Sequence, residues 1–372
     1  MTIRRITLAD LAFGEPLRWD IFGAGDGDAP SLPPAAKPVL QKGQVITPSA
    51  QLDGWLAAGL YVESAPPSVL HALNEVSKRL SHILMELLTH TNADQELRDI
   101  ARELVAAVER DPDIALACIF LNQINGLYAV RHCVESAIVV AVIALAMQKS
   151  ADEVQLATLA ALTMNASMVR QTEGFQGRNG ELSSEERAMV RRHPAESADL
   201  LRGAGVSAED WLAYVMLHHE NEDGSGYPKG KTGDEIPQNA KLISLSDRYC
   251  AHVSARNYRR SILPDIALHN LFLDSEIPAD VAVASHFIRQ IGKFPPGSLV
   301  LLENGEMGVV ARRLPDASVS VNALRGADGK SLPPPTMRNT GDPGCAIVKS
   351  LHEDDVAVRF SMRPIWGELA CL

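Results

Sequence analysis

The segment His218-His219-Glu220-Asn221-Glu222-Asp223-Gly224-Ser225-Gly226-Tyr227-Pro228 puts two adjacent histidines and three carboxylates inside eleven residues. Imidazole and carboxylate are the usual donors for zinc, iron and manganese. The histidines close an apolar run, Trp211 to Leu217, so a helix terminus presents them. The glycines behind them permit a turn that bulkier residues would resist.

This stretch resembles the signature of the HD-GYP family, bacterial phosphodiesterases that open cyclic di-GMP. The resemblance implies an all-α bundle whose separate helices supply histidines and a bridging carboxylate to two metal ions. Carried onto this chain, it implies metal ligands at His132 (in Tyr128 to Ser136), His193 (in Arg192-His193-Pro194), His218, His219 and Asp247. It implies ligand contacts from Tyr227 and, in Ser254 to Arg259, phosphate contacts from Arg256 and Arg259. The Gly226-Tyr227-Pro228 surface is implied to meet other proteins, GGDEF-domain cyclases among them. Asn179 to Ser183 resembles the family's connecting loop, and the whole resemblance spans residues 114–290.

One family motif, Leu-Leu-His-Asp-Ile-Gly-Lys, falls on Ala161 to Met168 and is altered there. Met164 stands at the His position, Asn165 at the Asp position and Met168 at the Lys position; Cys250 stands where a second Asp is frequent. A neutral Asn165 cannot offset the charge of two cations as a bridging carboxylate would, and the Met164 thioether is a poor match for iron, manganese or magnesium. Met168 removes a cation from beside the phosphate. The remaining set can hold one Fe, Mn or Zn ion, and a two-metal in-line mechanism is not expected.

The rest of the chain must position these residues. At 372 residues, 46% hydrophobic and 22% charged, it has the composition of a globular protein with more than one domain. A net charge of -11 disfavours a nucleic-acid polymer as partner, while leaving room for a small anion in a locally basic pocket. The five cysteines have no CxxC spacing and read as reduced thiols, Cys133 and Cys250 as small buried residues. No signal-peptide pattern opens the chain, and the most apolar run, Ala137 to Met147, is short of the roughly 20 residues of a membrane span. A cytoplasmic location is expected.

Four regions are expected: a small β-rich N-terminal domain (1–64), a helical linker or dimerisation hairpin (65–110), an HD-GYP-like helical domain (111–291) and a small β-rich C-terminal domain (292–372). Strands are expected at Leu17 to Phe22, Gln41 to Ile46, Ser298 to Ala311 as a hairpin, Ser318 to Asn322 and Val356 to Ser361, with a short helix at Leu52 to Tyr61. Ser183-Ser184-Glu185-Glu186 reads as a helix start. His71, His82, His90, His252, His269, His286 and His352 read as structural or exposed.

Three functions compete. The first is a degenerate HD-GYP protein that binds cyclic di-GMP, or docks partners, without hydrolysing its ligand. The second is an active phosphodiesterase with a reduced metal site. The third is a structural or assembly module. Simultaneous loss of bridge, ligand and cation, with Tyr227, Arg256 and Arg259 retained, favours the first.

Overall fold

The computed structural model describes residues 2–6, 17, 20–23, 37–47, 52, 54–55, 59–64, 68–169, 183–254, 261–273, 277–356 and 360–371. The chain divides into two units, Met1–Pro67 and Ser68–Leu372.

In the first unit, β1 (Thr2–Ile6), β2 (Ile21–Gly23) and β3 (Leu60–Ser64) form an antiparallel sheet ordered β1-β3-β2. Leu17, Ile21, Leu40, Ile46, Leu52 and Leu60 make its core. Two expectations change here. The region around Gln41 is a turn carrying isolated pairings, such as Ile21 with Leu40, in place of a second strand pair. The short helix does not extend to Tyr61: Gly59 takes a φ of 104°, a left-handed conformation that ends helices, and Leu60 and Tyr61 enter β3.

The second unit begins with α1 (Val69–Met85) and α2 (Ala93–Arg110), then α3 (Pro112–Phe120), which is capped by Asp111 and has proline at its first position. The central α4 (Tyr128–Ala146) packs against α5 (Ala151–Thr163) and α8 (Gln238–Val253). By length and composition α4 could cross a membrane, but most of it is buried among its neighbours, as in a core helix. α6 (Ser184–Gly203) starts at a capping box in which Ser183 and Glu186 satisfy each other's backbone N–H groups. α7 (Glu209–Leu217), α9 (Pro264–Phe272) and α10 (Val281–Ile291) complete the bundle. Trp211 Nε1 donates to Thr163 Oγ1 at 2.8 Å, fixing α7 to the end of α5.

A five-stranded antiparallel sheet follows, ordered β7-β6-β5-β4-β8. Its strands are β4 (Leu299–Leu302), β5 (Met307–Arg313), β6 (Val319–Arg325), β7 (Ser331–Asn339) and β8 (Ile347–Leu351). One face, with Leu299, Val309, Ala311 and Leu324, joins the helical core. Arg312 pairs with Asp111 at 2.8 Å and Arg313 with Asp113 at 3.2 Å, pinning β5 to the start of α3. The strand expected at Val356 to Ser361 is absent among the described residues. Val356 instead closes α11 (Glu353–Val356), and α12 (Arg363–Trp366) follows. The second unit is thus a helical bundle joined to a C-terminal antiparallel sheet, and the first unit is a small β-rich region.

Candidate metal and ligand site

Pro194 has no N–H, so the Val190 carbonyl one turn earlier in α6 lacks its helical donor. His193 fills the gap: its Nδ1 lies 2.6 Å from that oxygen. His218 repeats the arrangement at the end of α7, where the last carbonyls are also orphaned, with Nδ1 2.7 Å from Val215 O. Both rings therefore carry their proton on Nδ1 and present a bare Nε2. These two Nε2 atoms face each other at 3.1 Å. Two lone pairs at that distance call for a shared cation.

That cation is not a proton at neutral pH. Burial, and secondarily the neighbouring His218, push the His193 pKa down to about 3 against the pull of the Val190 carbonyl. Burial also lowers His218, and lowers His219 strongly with help from His218. Among the described residues, the ligand atoms of His193, His218 and His219 lie within 4.8 Å of one another. Three neutral imidazoles this close, two of them with bare Nε2 atoms facing each other, suit a divalent metal ion, and carbonyl-anchored tautomers such as those of His193 and His218 are how proteins orient such ligands.

His132, on the second turn of α4, lies 2.7 Å through Nε2 from Asp247 Oδ1 on α8. Burial alone would raise the Asp247 pKa, but the His132 hydrogen bond and the adjoining imidazoles outweigh it and hold the carboxyl well below its usual range. The pair thus lies in the electrostatic reach of the cluster. Tyr128 stacks on His132 at 5.7 Å between ring centres.

The altered motif occupies the space between these parts. Asn165 is in hydrogen-bonding contact with Cys133, the neighbour of His132. Ser167 donates its backbone N–H to Ser197 Oγ at 3.1 Å, and its hydroxyl to the His193 carbonyl at 3.2 Å. Met164 and Met168 are buried. Cys133 and Cys250 are buried thiols whose pKa values burial raises, Cys133 to about 12.

The loop after the paired histidines is seated by Glu220, a carboxylate of the motif to which the sequence assigned no role. The buried Glu220 carboxylate accepts from the Lys229 N–H at 2.6 Å and the Lys231 N–H at 2.9 Å. Tyr227 N–H donates to His219 O at 3.0 Å, and the Tyr227 ring stacks on His219 with centres 4.7 Å apart. At Gly226 a Cβ would meet His219 O, Glu220 Cα and Asn221 N, each at 2.5 Å. Gly226→Ala should therefore displace this loop and cost about 1–3 kcal/mol. Thermal melting together with metal titration checks this, since the displacement reaches His219.

Two further groups act at a distance. Glu135, one turn after His132, is buried and accepts from Ser254 Oγ at the end of α8; Arg131 Nε lies 3.5 Å from it. Arg191 places its guanidinium 5.3 Å from the centre of the Tyr227 ring. Arg256 and Arg259 lie outside the described residues, as do the segment 170–182 and the connecting loop within it.

Residues 121–276 match the HD domain family. A cyclic di-GMP phosphodiesterase of Pseudomonas aeruginosa is 30% identical over 57% of this chain and 51% of its own length. A cyclic di-GMP phosphodiesterase response regulator of Xanthomonas campestris is 32% identical over 33% of each chain. A solved HDG"Y"P protein of Bdellovibrio bacteriovorus superposes with a TM-score of 0.50, covering 77% of this chain and 98% of that one at 13% identity, and so shows the shared fold. The helical region thus contains an HD-type domain and is similar to HD-GYP proteins. This chain spans about half the length of the Pseudomonas relative and a third of the Xanthomonas one.

In this HD-type domain, the depressed histidine pKa values set how the metal-free fold responds to acid. An unfolded histidine takes a proton near 6.5, whereas folded His193 resists down to about 3. The unfolded chain binds that proton first, so stability is complete above 6.5 and falls as pH drops towards 3. The slope approaches about 1.4 kcal/mol per pH unit for one such group. Urea melts of metal-depleted protein between pH 7.5 and 5 should show this loss, with a shallower slope in His193→Gln.

Proposed function

We propose that this chain is a degenerate HD-GYP protein of cyclic di-GMP signalling, a nucleotide receptor or regulatory docking module with absent or impaired hydrolysis. One observation carries the reading. The ligand atoms of three histidines lie together, with the bare Nε2 atoms of His193 and His218 facing each other, while the adjoining motif offers Met164, Asn165 and Met168 in place of a second histidine, a bridging carboxylate and a cation. A cluster of this kind supports one ion, Fe, Mn or Zn, held by His193, His218 and His219, with His132 and Asp247 beside it. A bound ion there supplies positive charge to a phosphate and Lewis acidity to water.

The chain's own residues do the rest. Pro194 frees the carbonyl that sets the His193 tautomer, Glu220 seats the Gly-Tyr-Pro loop, and Tyr227 offers an aromatic face beside the histidines. Arg256 and Arg259 are the expected phosphate contacts by family resemblance, and the Gly226-Tyr227-Pro228 surface is the expected meeting place for GGDEF-domain or other signalling proteins.

The test is cyclic di-GMP hydrolysis by anaerobically purified protein reconstituted with iron or manganese, run beside calorimetric binding. Saturable binding without turnover above a His193→Ala, His218→Ala control is the expected result. Clear turnover would make the protein a phosphodiesterase with a reduced metal site. Neither metal nor nucleotide binding at micromolar concentration would leave an assembly module.

A further inference from the structure

The position where the family carries a lysine beside the phosphate is Met168, buried and uncharged. The carboxylate of Asp247 is matched by His132 at 2.7 Å, and the Nε2 atoms of His193 and His218 face each other at 3.1 Å, directed into the cluster and not at an anion beside it. Of two arginines near the cluster, Arg248 is partly buried on α8 beside Asp247 and donates to the Ser244 carbonyl of its own helix at 3.4 Å, whereas Arg191 is exposed. It lies in α6 two residues before His193, and its guanidinium sits over the Tyr227 ring. That ring is itself stacked on His219 and set edge-on to His193 at 6.5 Å.

The neighbouring arginine behaves differently. Arg192 Nε pairs with Glu196 at 3.1 Å, an ordinary exposed i,i+4 contact. Arg191 has no carboxylate partner among the described residues. An aromatic face holds the guanidinium plane but leaves its N–H groups directed outward around the rim. A planar, always-charged fork, preset on the wall of a histidine cluster, matches two oxygens of one phosphate group.

We propose that Arg191 is a phosphate-binding residue of this site, gripping the non-bridging oxygens of a cyclic dinucleotide laid against Tyr227 and the histidine cluster. The assignment rests on the reading of the chain as a cyclic di-GMP receptor. Arg191 stands in for the cation that Met168 does not provide, but from α6 and not from the turn after α5. The aromatic contact restricts the side chain before the ligand arrives, so less rotamer entropy is lost on binding.

The experiment is calorimetric titration of cyclic di-GMP into the full, metal-reconstituted chain and into Arg191→Ala, Arg191→Met, Arg191→Lys and Arg192→Ala. Metal content and thermal midpoint are measured on each. The expected result is about 10- to 100-fold weaker binding for Arg191→Ala, an equal loss for Arg191→Met, partial retention for Arg191→Lys, and wild-type affinity for Arg192→Ala. Metal content should stay constant throughout. Arg191→Met keeps a long apolar chain over Tyr227, so wild-type affinity in that variant would assign Arg191 to packing and overturn the proposal. So would unchanged affinity in Arg191→Ala. Wild-type protein that binds metal but no cyclic di-GMP would remove the receptor reading itself, and Arg191's role with it.

Discussion

His218→Gln should lower the affinity for a divalent metal by more than about 100-fold while making the metal-free protein slightly more stable. Loss of groups that merely orient a metal ligand typically costs about 10- to 100-fold in affinity, so removal of a direct donor should exceed that. The stability gain comes from the 3.1 Å contact between the bare Nε2 atoms of His193 and His218, an arrangement without a hydrogen in the metal-free state. A glutamine amide can donate an N–H to His193 Nε2, converting a repulsive contact into a hydrogen bond worth about 1 kcal/mol. Wild-type protein should gain about 2.7 kcal/mol from metal present at 100 times its dissociation constant, and the variant less than about 0.4 kcal/mol at that concentration. Thermal melts with and without zinc or manganese read both effects. Equal metal-induced shifts in wild type and variant would remove His218 from the ligand set. A less stable metal-free variant would contradict the tautomers assigned to the two rings.

The second large effect is expected from rebuilding the altered motif. Met164→His, Asn165→Asp and Met168→Lys together should raise metal stoichiometry from one to two and increase cyclic di-GMP turnover by about 100-fold or more, the equivalent of a few kcal/mol of transition-state stabilisation from a second ion. The structure adds a condition. Met164 and Met168 are buried, so the new lysine is uncompensated until metal and phosphate arrive. The metal-free triple variant should therefore melt well below wild type and recover on metal addition. Metal counting by mass spectrometry and chromatographic product analysis separate the outcomes. Two ions without turnover would mean that the pocket has diverged elsewhere too. One ion in folded protein would show that Ala161 to Met168 is not the equivalent of the family motif.

Much of the helical architecture was readable because its signals are local. Ser183 and Glu186 mark the start of α6 by a reciprocal hydrogen-bond pattern three residues long. The run from Trp211 to Leu217 marks α7, with His218 as its C-cap. The N-terminal region was harder, since a single left-handed glycine, Gly59, decides whether Leu60 continues a helix or begins a strand. β7 went unread because Pro333, Pro334 and Pro335 look incompatible with a sheet. It is an edge strand, and its pairing with β6 shifts between Ala323 and Arg325, opposite the prolines.

The site divides the same way. Paired histidines announce a metal, but the tautomers behind them depend on the donor that Pro194 withholds from Val190. The Glu135–Ser254 contact joins residues 119 apart, and Arg191 meets Tyr227 across two helices and a loop. No local pattern encodes such meetings. They follow from how the helices pack.

Glu220 grips the loop through the main-chain N–H groups of Lys229 and Lys231, and asks nothing of their side chains. Lys229 is exposed, and among the described residues the Lys231 side chain makes only a 3.9 Å surface pair with Glu235. The outward face of this loop can therefore be rewritten, residue by residue, without loosening the anchor that keeps Tyr227 and His219 in place. Divergence in what the loop greets on the outside is decoupled from the chemistry held behind it, which gives one scaffold room to acquire new partners while its histidine centre stays the same.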